Sequence, residues 1–345
     1  MPTYSMLIRT PLVANTGYGN DGFSLVRGFS EAGLDTHIDP MAVRPPLPME
    51  TTKLLVKEPL SEFDYFLHHT DPAQLGGTDV PDIRAKKKIA WSMWEFTKMG
   101  PEIATDLSER LAPFDLFLAY DEVTAQAFAP HCEEAGVKMQ VLQGGFWASD
   151  WRYDLRLRSW GDPFRFCMVG ALHQRKNPFA AIHAFEEVRA KYGEKVELHL
   201  KTITRTLHPA MEQRYPGLRI RYEVWDHMQM RDFYAQCHAY LATSWGEGKN
   251  LPALEAQSMG IPVLYSDFGG HRQWGSSDTG WPLPGEIAEH VEGLPSFRVD
   301  HDALVSAMCE AVESRAATRG KGQLASQLVQ SSDWGSVIQR FLSIV

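Results

Sequence analysis

Apolar and polar positions along this chain fall into two repeating periods. Mostly apolar runs of strand length occur at Met6–Val13, Phe63–Leu67, Lys88–Ser92, Leu116–Tyr120 and Val137–Leu142. Between them, helical spacing is approximated by Phe23, Val26, Phe29 and Leu34, and again over Glu122–Phe128. Asp35–Asp39 reads as a further short strand. Pro11 marks either the end of the first strand or a bulge in it. Turn formers fill the intervals, notably a glycine-rich loop over Asn15–Gly22 and the run Pro45-Pro46-Leu47-Pro48.

The alternation restarts in the second half. Phe164–Val169 is a strand, Pro178–Tyr192 an amphipathic helix, Val196–Leu200 a strand, Met230–Cys237 a helix and Ala239–Ala242 a strand. Strands alternating with helices in both halves predict an α/β protein of two doubly wound domains, each with a parallel sheet. The polar segment Ser149–Asp162 supplies the boundary. The expected division is residues 1–150, residues 151–330 and a C-terminal helical segment, 331–345. No internal repeat or low-complexity tract is evident.

The densest chemistry lies in Gly246-Glu247-Gly248-Lys249-Asn250-Leu251-Pro252-Ala253-Leu254-Glu255-Ala256. It follows the Ala239–Ala242 strand. Asn250 is suited to cap the next helix through its side-chain oxygen, and Pro252 falls in the first turn, where a missing N–H costs little. Glu247 then stands on the loop and Glu255 one turn into the helix. Unpaired amides at the helix start form an anion site between them. Amides for a diphosphate and two carboxylates for hydroxyl groups suit a nucleoside-diphosphate sugar.

This segment resembles the Glu-x7-Glu motif of retaining GT-B glycosyltransferases of the family 4 type. Gly260-Ile261-Pro262-Val263, the pair Gly269-Gly270 and the terminal Asp333-Trp334 helix are also similar to that family. So is Arg175-Lys176-Asn177-Pro178, which follows the strand ending at Val169-Gly170. Two departures stand out: Lys249-Asn250 replaces a common Phe-Gly, and Ala171 replaces a common arginine. The resemblance implies two Rossmann-like domains facing a central cleft, with the final helix, about Trp334–Ser343, packing back on the first. It implies metal-independent transfer with retention of configuration from a nucleoside-diphosphate sugar, with no other cofactor. Glu247 orients the donor sugar, Glu255 accepts from the ribose hydroxyls, and Arg175 and Lys176 grip the phosphates. Lys249, Asn250 and Leu251 complete the donor site, and Gly17 and Gly19 face the diphosphate from the N-terminal glycine loop.

Strand ends in the N-terminal half supply further candidates, because ligands of such sheets lie beyond the carboxyl ends of the strands. His69 is the candidate cleft histidine, with His68 beside it. Trp94 and Glu95 resemble an acceptor-side segment of some of these transferases, whereas Trp91 reads as core. Gly144-Gly145-Phe146-Trp147 is expected as a hinge-side loop. Trp225, Asp226 and His227 are expected near the nucleobase. Asp300-His301-Asp302 is read as a helix cap, so no metal site is expected.

A different chemistry competes with this reading. Gly17-x-Gly19-x-x-Gly22, followed by Asp39, spells a dinucleotide fingerprint and keeps an NAD(P)-dependent oxidoreductase as the alternative. The first glycine is separated from the strand by Ala14-Asn15-Thr16, where the fingerprint places it at the strand end. A non-catalytic sugar-nucleotide-binding protein is the third reading.

Composition narrows the partners. The chain has 345 residues and a net charge of −9, which weakens a nucleic-acid reading. The basic run Arg84-Ala85-Lys86-Lys87-Lys88 is most simply solvated residues leading into a strand. It keeps a hydroxylated DNA base among the acceptors, beside a glycan, a protein side chain or a small metabolite. Four scattered cysteines form no Cys-x-x-Cys pair. The N-terminus lacks a signal-peptide pattern and no apolar run has membrane-spanning length, so the cytoplasm is expected and a membrane acceptor is not.

Overall fold

The structure, a computed structural model, describes residues 4–14, 16–44, 47–55, 57–58, 60–291, 293–330 and 332–345. Of the positions invoked above, Asn15, Pro45 and Pro46 lie outside them, as does residue 331 at the expected boundary. The chain divides into two compact units, Met1–Trp147 with Ser332–Val345, and Ala148–Ser331.

The first unit contains β1 (Ser5–Val13), α1 (Gly17–Glu31), β2 (Asp35–Arg44), α2 (Met49–Leu55), β3 (Phe63–His69) and β4 (Ala85–Ser92). It continues through α3 (Pro101–Ala104), α4 (Leu107–Leu111), β5 (Leu116–Ala119), α5 (Glu122–Ala135) and β6 (Lys138–Val141). The six strands form one parallel sheet in the order β2-β1-β3-β4-β5-β6. Pro11 sits at a register shift between β1 and β2, so the strand bulges there and runs on. β2 extends to Arg44, beyond the Asp39 expected from its apolar run.

The expected glycine loop is instead the start of a helix. α1 begins at Gly17, with the Thr16 side chain accepting from the Gly19 amide. A Cβ at Gly19 would lie 2.0 Å from the Val13 carbonyl oxygen, and one at Gly22 would lie 2.6 Å from that of Pro11. These two glycines let the helix approach β1 closely, and the Gly19 amide is occupied by Thr16 rather than open to a phosphate.

The second unit contains β7 (Phe164–Gly170), α6 (Pro178–Tyr192), β8 (Val196–Thr202), α7 (Met211–Arg214), β9 (Leu218–Tyr222) and α8 (His227–Ala235). Then follow β10 (Ala239–Ala242), α9 (Leu251–Ser258), β11 (Val263–Ser266) and β12 (Gly280–Leu283). The hairpin β13 (Gly285–Val291) and β14 (Leu294–Val299) precedes α10 (His301–Glu313) and α11 (Arg315–Gln330). Its six-stranded parallel sheet has the order β12-β11-β10-β7-β8-β9. The order reverses direction between β7 and β10, which makes the space beyond their carboxyl ends the natural ligand crevice.

The last helix, α12 (Trp334–Ile344), belongs to the first unit. Trp334 is fully buried and packs on Gly28 and Gly145, where any Cβ would come within about 3 Å of its ring. Phe341 meets Phe29 edge-on and stacks on Trp91. The Gly144–Trp147 stretch is therefore a seat for packed side chains rather than an open loop. Gly144 abuts Tyr120, and the Trp147 ring lies 3.9 Å from the Arg27 guanidinium.

Candidate functional site

The site grows from the loops after β7 and β10. Leaving β7, the chain turns at Gly170, whose φ of 142° is open only to glycine, and forms a short turn over Gln174–Lys176. Asn177 takes a left-handed conformation before Pro178 starts α6. The second loop is bonded to the first. Trp245 donates its amide to the Arg175 carbonyl at 2.8 Å, Arg175 Nη1 donates to the Gly246 carbonyl at 2.6 Å, and Thr243 Oγ1 donates to the Asn177 carbonyl at 3.0 Å. A third loop closes on these: the Gly270 amide donates to the Glu247 carbonyl, and a Cβ at Gly270 would lie 2.1 Å from the Gly248 oxygen.

Glu247 is held at the centre. Its carboxylate accepts from Lys176 Nζ at 2.5 Å, from Arg175 Nη1 at 3.2 Å and from Ser244 Oγ at 2.6 Å. Burial alone would raise this carboxyl, but Lys176 and Arg175 outweigh it and hold the group well below the usual carboxylate range. Glu255 is in the opposite state. Burial pushes it up to about 7, against the Tyr234 hydroxyl that donates to it at 2.9 Å and the nearby Lys201. The two carboxyls of the motif thus differ in charge near neutrality.

Asn250 departs from its expected role. Its φ of 61° places it in the left-handed region, a conformation asparagine tolerates, and its side chain makes no cap bond. The amide turns instead to His271. His271 Nδ1 lies 3.0 Å from the Ser266 carbonyl and so carries the proton, which leaves Nε2 to accept from Asn250 Nδ2 at 2.9 Å. Burial lowers His271 to about 4, consistent with a neutral ring. Asn250 Oδ1 stays buried without a protein partner among the described residues. Lys249 is buried, its carbonyl accepting from Trp274 Nε1 at 2.9 Å, and Leu251 opens α9.

The structure therefore brings Arg175, Lys176, Glu247, Lys249, Asn250, Leu251 and Glu255 into one unit. Ser244, His271, Tyr234 and Lys201 join them without having been singled out in the sequence. Ser244 was legible by position, two residues past a strand end; the other three reach the site through packing. Of the residues expected near a nucleobase, Asp226 caps α8 through a capping box with Gln229, and His227 packs on Trp151.

The N-terminal candidates lie in the other unit, and the two candidate histidines are less open than expected. His68 and His69 are fully buried. His69 Nδ1 pairs with Thr10 Oγ1 at 2.9 Å and Nε2 with Tyr120 OH at 3.0 Å, while Tyr120 also bonds Asp21. His68 sits against Phe66 and Phe114, and burial lowers it to about 3. Trp94 donates Nε1 to the Lys98 carbonyl, and Glu95 follows it on the loop after β4. Gly17 is exposed at the start of α1, and Gly19 is buried behind it.

The basic run is engaged locally: Lys86 pairs with Asp64, Lys87 donates to the Val345 carbonyl, and Lys88 donates to the Val80 and Pro81 carbonyls. Asp300 caps α10 by accepting from the Ala303 amide. Among the described residues, no group of three or more His, Cys, Asp or Glu is placed to hold a metal ion, and no helix is long and apolar enough to cross a membrane.

Residues 163–312 match the family model described as "Glycosyl transferases group 1". No curated protein sequence matches the chain. Among solved structures, it resembles sucrose-phosphate synthase from Thermosynechococcus elongatus with 14% identity and a TM-score of 0.68, covering 99% of this chain and 98% of that one. HepE from Anabaena, solved with UDP and glucose, gives 13% identity and a TM-score of 0.65 over 99% of each chain. A TarM variant from S. aureus, in complex with Fondaparinux, alpha-GlcNAc-glycerol and UDP, gives 10% identity and a TM-score of 0.58 over 81% of this chain. The chain spans about half of TarM's length, 54%. At these identities the likeness is one of fold: the chain carries the two Rossmann-like α/β domains of GT-B proteins, and its second unit contains the matched glycosyltransferase segment.

Proposed function

We propose that this protein is a retaining, metal-independent glycosyltransferase that moves a sugar from a nucleoside-diphosphate sugar, most simply a UDP-sugar, to an acceptor hydroxyl. The single observation that carries the reading is Glu247 clasped by Arg175 and Lys176 on the loop before α9, the helix that carries Glu255 one turn in. The match of this segment to a glycosyltransferase family, and the UDP bound in the HepE and TarM structures, support it.

In this reading the ion pairs describe the resting site. A diphosphate arriving at the start of α9 takes Arg175 and Lys176 for itself, because its charge is larger and develops further as the anomeric C–O bond breaks. Glu247, released from its cations, then accepts hydrogen bonds from the donor sugar hydroxyls. Glu255 accepts from the ribose hydroxyls. The departing phosphate receives the acceptor proton, so the chain itself supplies orientation and charge stabilisation. A glycan is the acceptor this reading favours over a hydroxylated DNA base, since the Lys86–Lys88 run is occupied within its own unit.

Glu247→Gln tests the exchange. It should lower kcat for sugar transfer by roughly 10²-fold through lost orientation. It should also tighten binding of bare UDP by about tenfold, because no internal carboxylate competes for the cations. Calorimetric titration with UDP and a transfer assay read the two separately. Weaker or unchanged UDP binding in the variant would refute the exchange, and unchanged transfer would remove Glu247 from the reaction.

The Gly19 amide, taken by the Thr16 side chain at 3.1 Å, speaks against the dinucleotide alternative, whereas the packing of Gly22 on β1 is common to both readings. NADH titration checks this: saturable binding that Gly17→Ala abolishes would restore it.

A further inference from the structure

A groove in the second unit adjoins the Glu255 end of the site described above, since Lys201, which faces Glu255, also lies over the Trp225 ring at 5.7 Å. It lies between α8 and the β8–β9 edge and encloses about 310 Å³, within the range of small-ligand sites. His199 and Arg221 reach it from the two strands, and Trp225 from the loop after β9. Gln229, Asp232 and Phe233 line it from α8, and Gln236 from the residue just past the helix end. His199 precedes Lys201 by two residues on β8, so the groove runs from the Trp225 end back toward the middle of the strands.

Its chemistry is that of a neutral, hydroxyl-rich ligand. Arg221 and Asp232 bring opposite charges, and burial lowers His199, which keeps the ring uncharged near neutrality. Nothing in that balance favours a phosphate. Trp225 has its Nε1 committed to Glu223 at 2.5 Å and Lys201 Nζ 5.7 Å over its ring, so what it offers the ligand is the remaining ring surface. Trp225 and Phe233 are 5.5 Å apart and inclined at 54°, which leaves no parallel slot for a flat heterocycle. An aromatic face with amide, carboxylate and guanidinium groups around it matches a pyranose, whose C–H face is apolar and whose hydroxyls project around its edge.

We propose that this groove is a second carbohydrate site, which holds one pyranose ring of a neutral saccharide chain on Trp225 and Phe233, with its hydroxyls on Arg221, Gln229, Asp232 and Gln236. The site goes beyond the transfer reading and stands whether or not that reading does. It anchors a saccharide away from the reacting centre, on the same unit that carries the Glu247 site.

Calorimetric titration of the full chain with maltohexaose, cellohexaose and chitohexaose tests it. One of the three should bind saturably, and Asp232→Ala and Gln236→Ala should each weaken that binding by about tenfold, both being exposed positions outside the capping box of α8. UDP affinity should stay at the wild-type value in both variants. Failure of all three saccharides to bind at millimolar concentration would overturn the proposal. So would binding that both variants retain, or displacement of the saccharide by free uridine, which would make the groove a base pocket. Glu247→Gln should leave saccharide binding intact, so loss of transfer and loss of this site are read separately.

Discussion

Glu247 and Glu255 show how one sequence motif yields two chemically different carboxyls. Glu247 is ionised because two cations face it, whereas Glu255 faces a tyrosine hydroxyl and only a more distant lysine. A sequence shows the spacing of the pair but not this asymmetry, because Tyr234 and Lys201 arrive from another helix and another strand. The raised Glu255 has a definite thermodynamic sign. Its folded-state value of about 7 lies above the ordinary 4.5, so the folded protein binds the proton more tightly. The associated stability is full below 4.5 and lost as pH rises through 7. Melting temperatures of the wild type should therefore fall relative to Glu255→Gln across that window; parallel profiles would refute the shift. Asn250 offers a backbone test. Asn250→Gly should keep the fold, while Asn250→Ala should cost about 1–2 kcal/mol in denaturant titrations because alanine resists a left-handed φ.

At the scale of elements, the strands were legible where apolar runs were compact, and their ends were not. β4 starts at Ala85 rather than Lys88, since its lysines lie in the strand with their amines reaching Asp64 and nearby backbone carbonyls. The β13–β14 hairpin escaped notice because Gly285, Gly293 and Pro295 punctuate its two short runs with the signals of a loop. The glycine run misled for a physical reason: glycine serves both a phosphate loop and a helix packed tightly on a strand, and only the partner surface separates the two. In the proposed reading, phosphate contact falls to the turn after β7. Lys176→Ala should weaken UDP binding, and the loss should shrink as salt is raised, because an exposed part of the attraction is screened. Salt-independent affinity loss would point to a folding defect instead.

On the scale of the molecule, the first unit is assembled from both ends of the chain. α12 brings Trp334, Val337, Ile338 and Phe341 to a core that also contains Phe29, Trp91 and Leu118. Trp334→Ala should cost about 3–5 kcal/mol and lower only the calorimetric transition of that unit, leaving the transition of 148–331 in place. Movement of both transitions together would contradict it. The terminal tryptophan was visible in sequence as a helix start, but its two glycine seats at 28 and 145 could be recognised only once the chain was folded.

That seat has a consequence for how the protein is made. A ribosome that has completed the first unit's sheet must still synthesise all of Ala148–Ser331 before α12 emerges, a delay of ~10–40 s at ordinary elongation rates. Throughout that interval the surface around Phe29 and Trp91 is without its cover and is open to chaperones or to neighbouring nascent chains. The unit translated first is the last to finish folding.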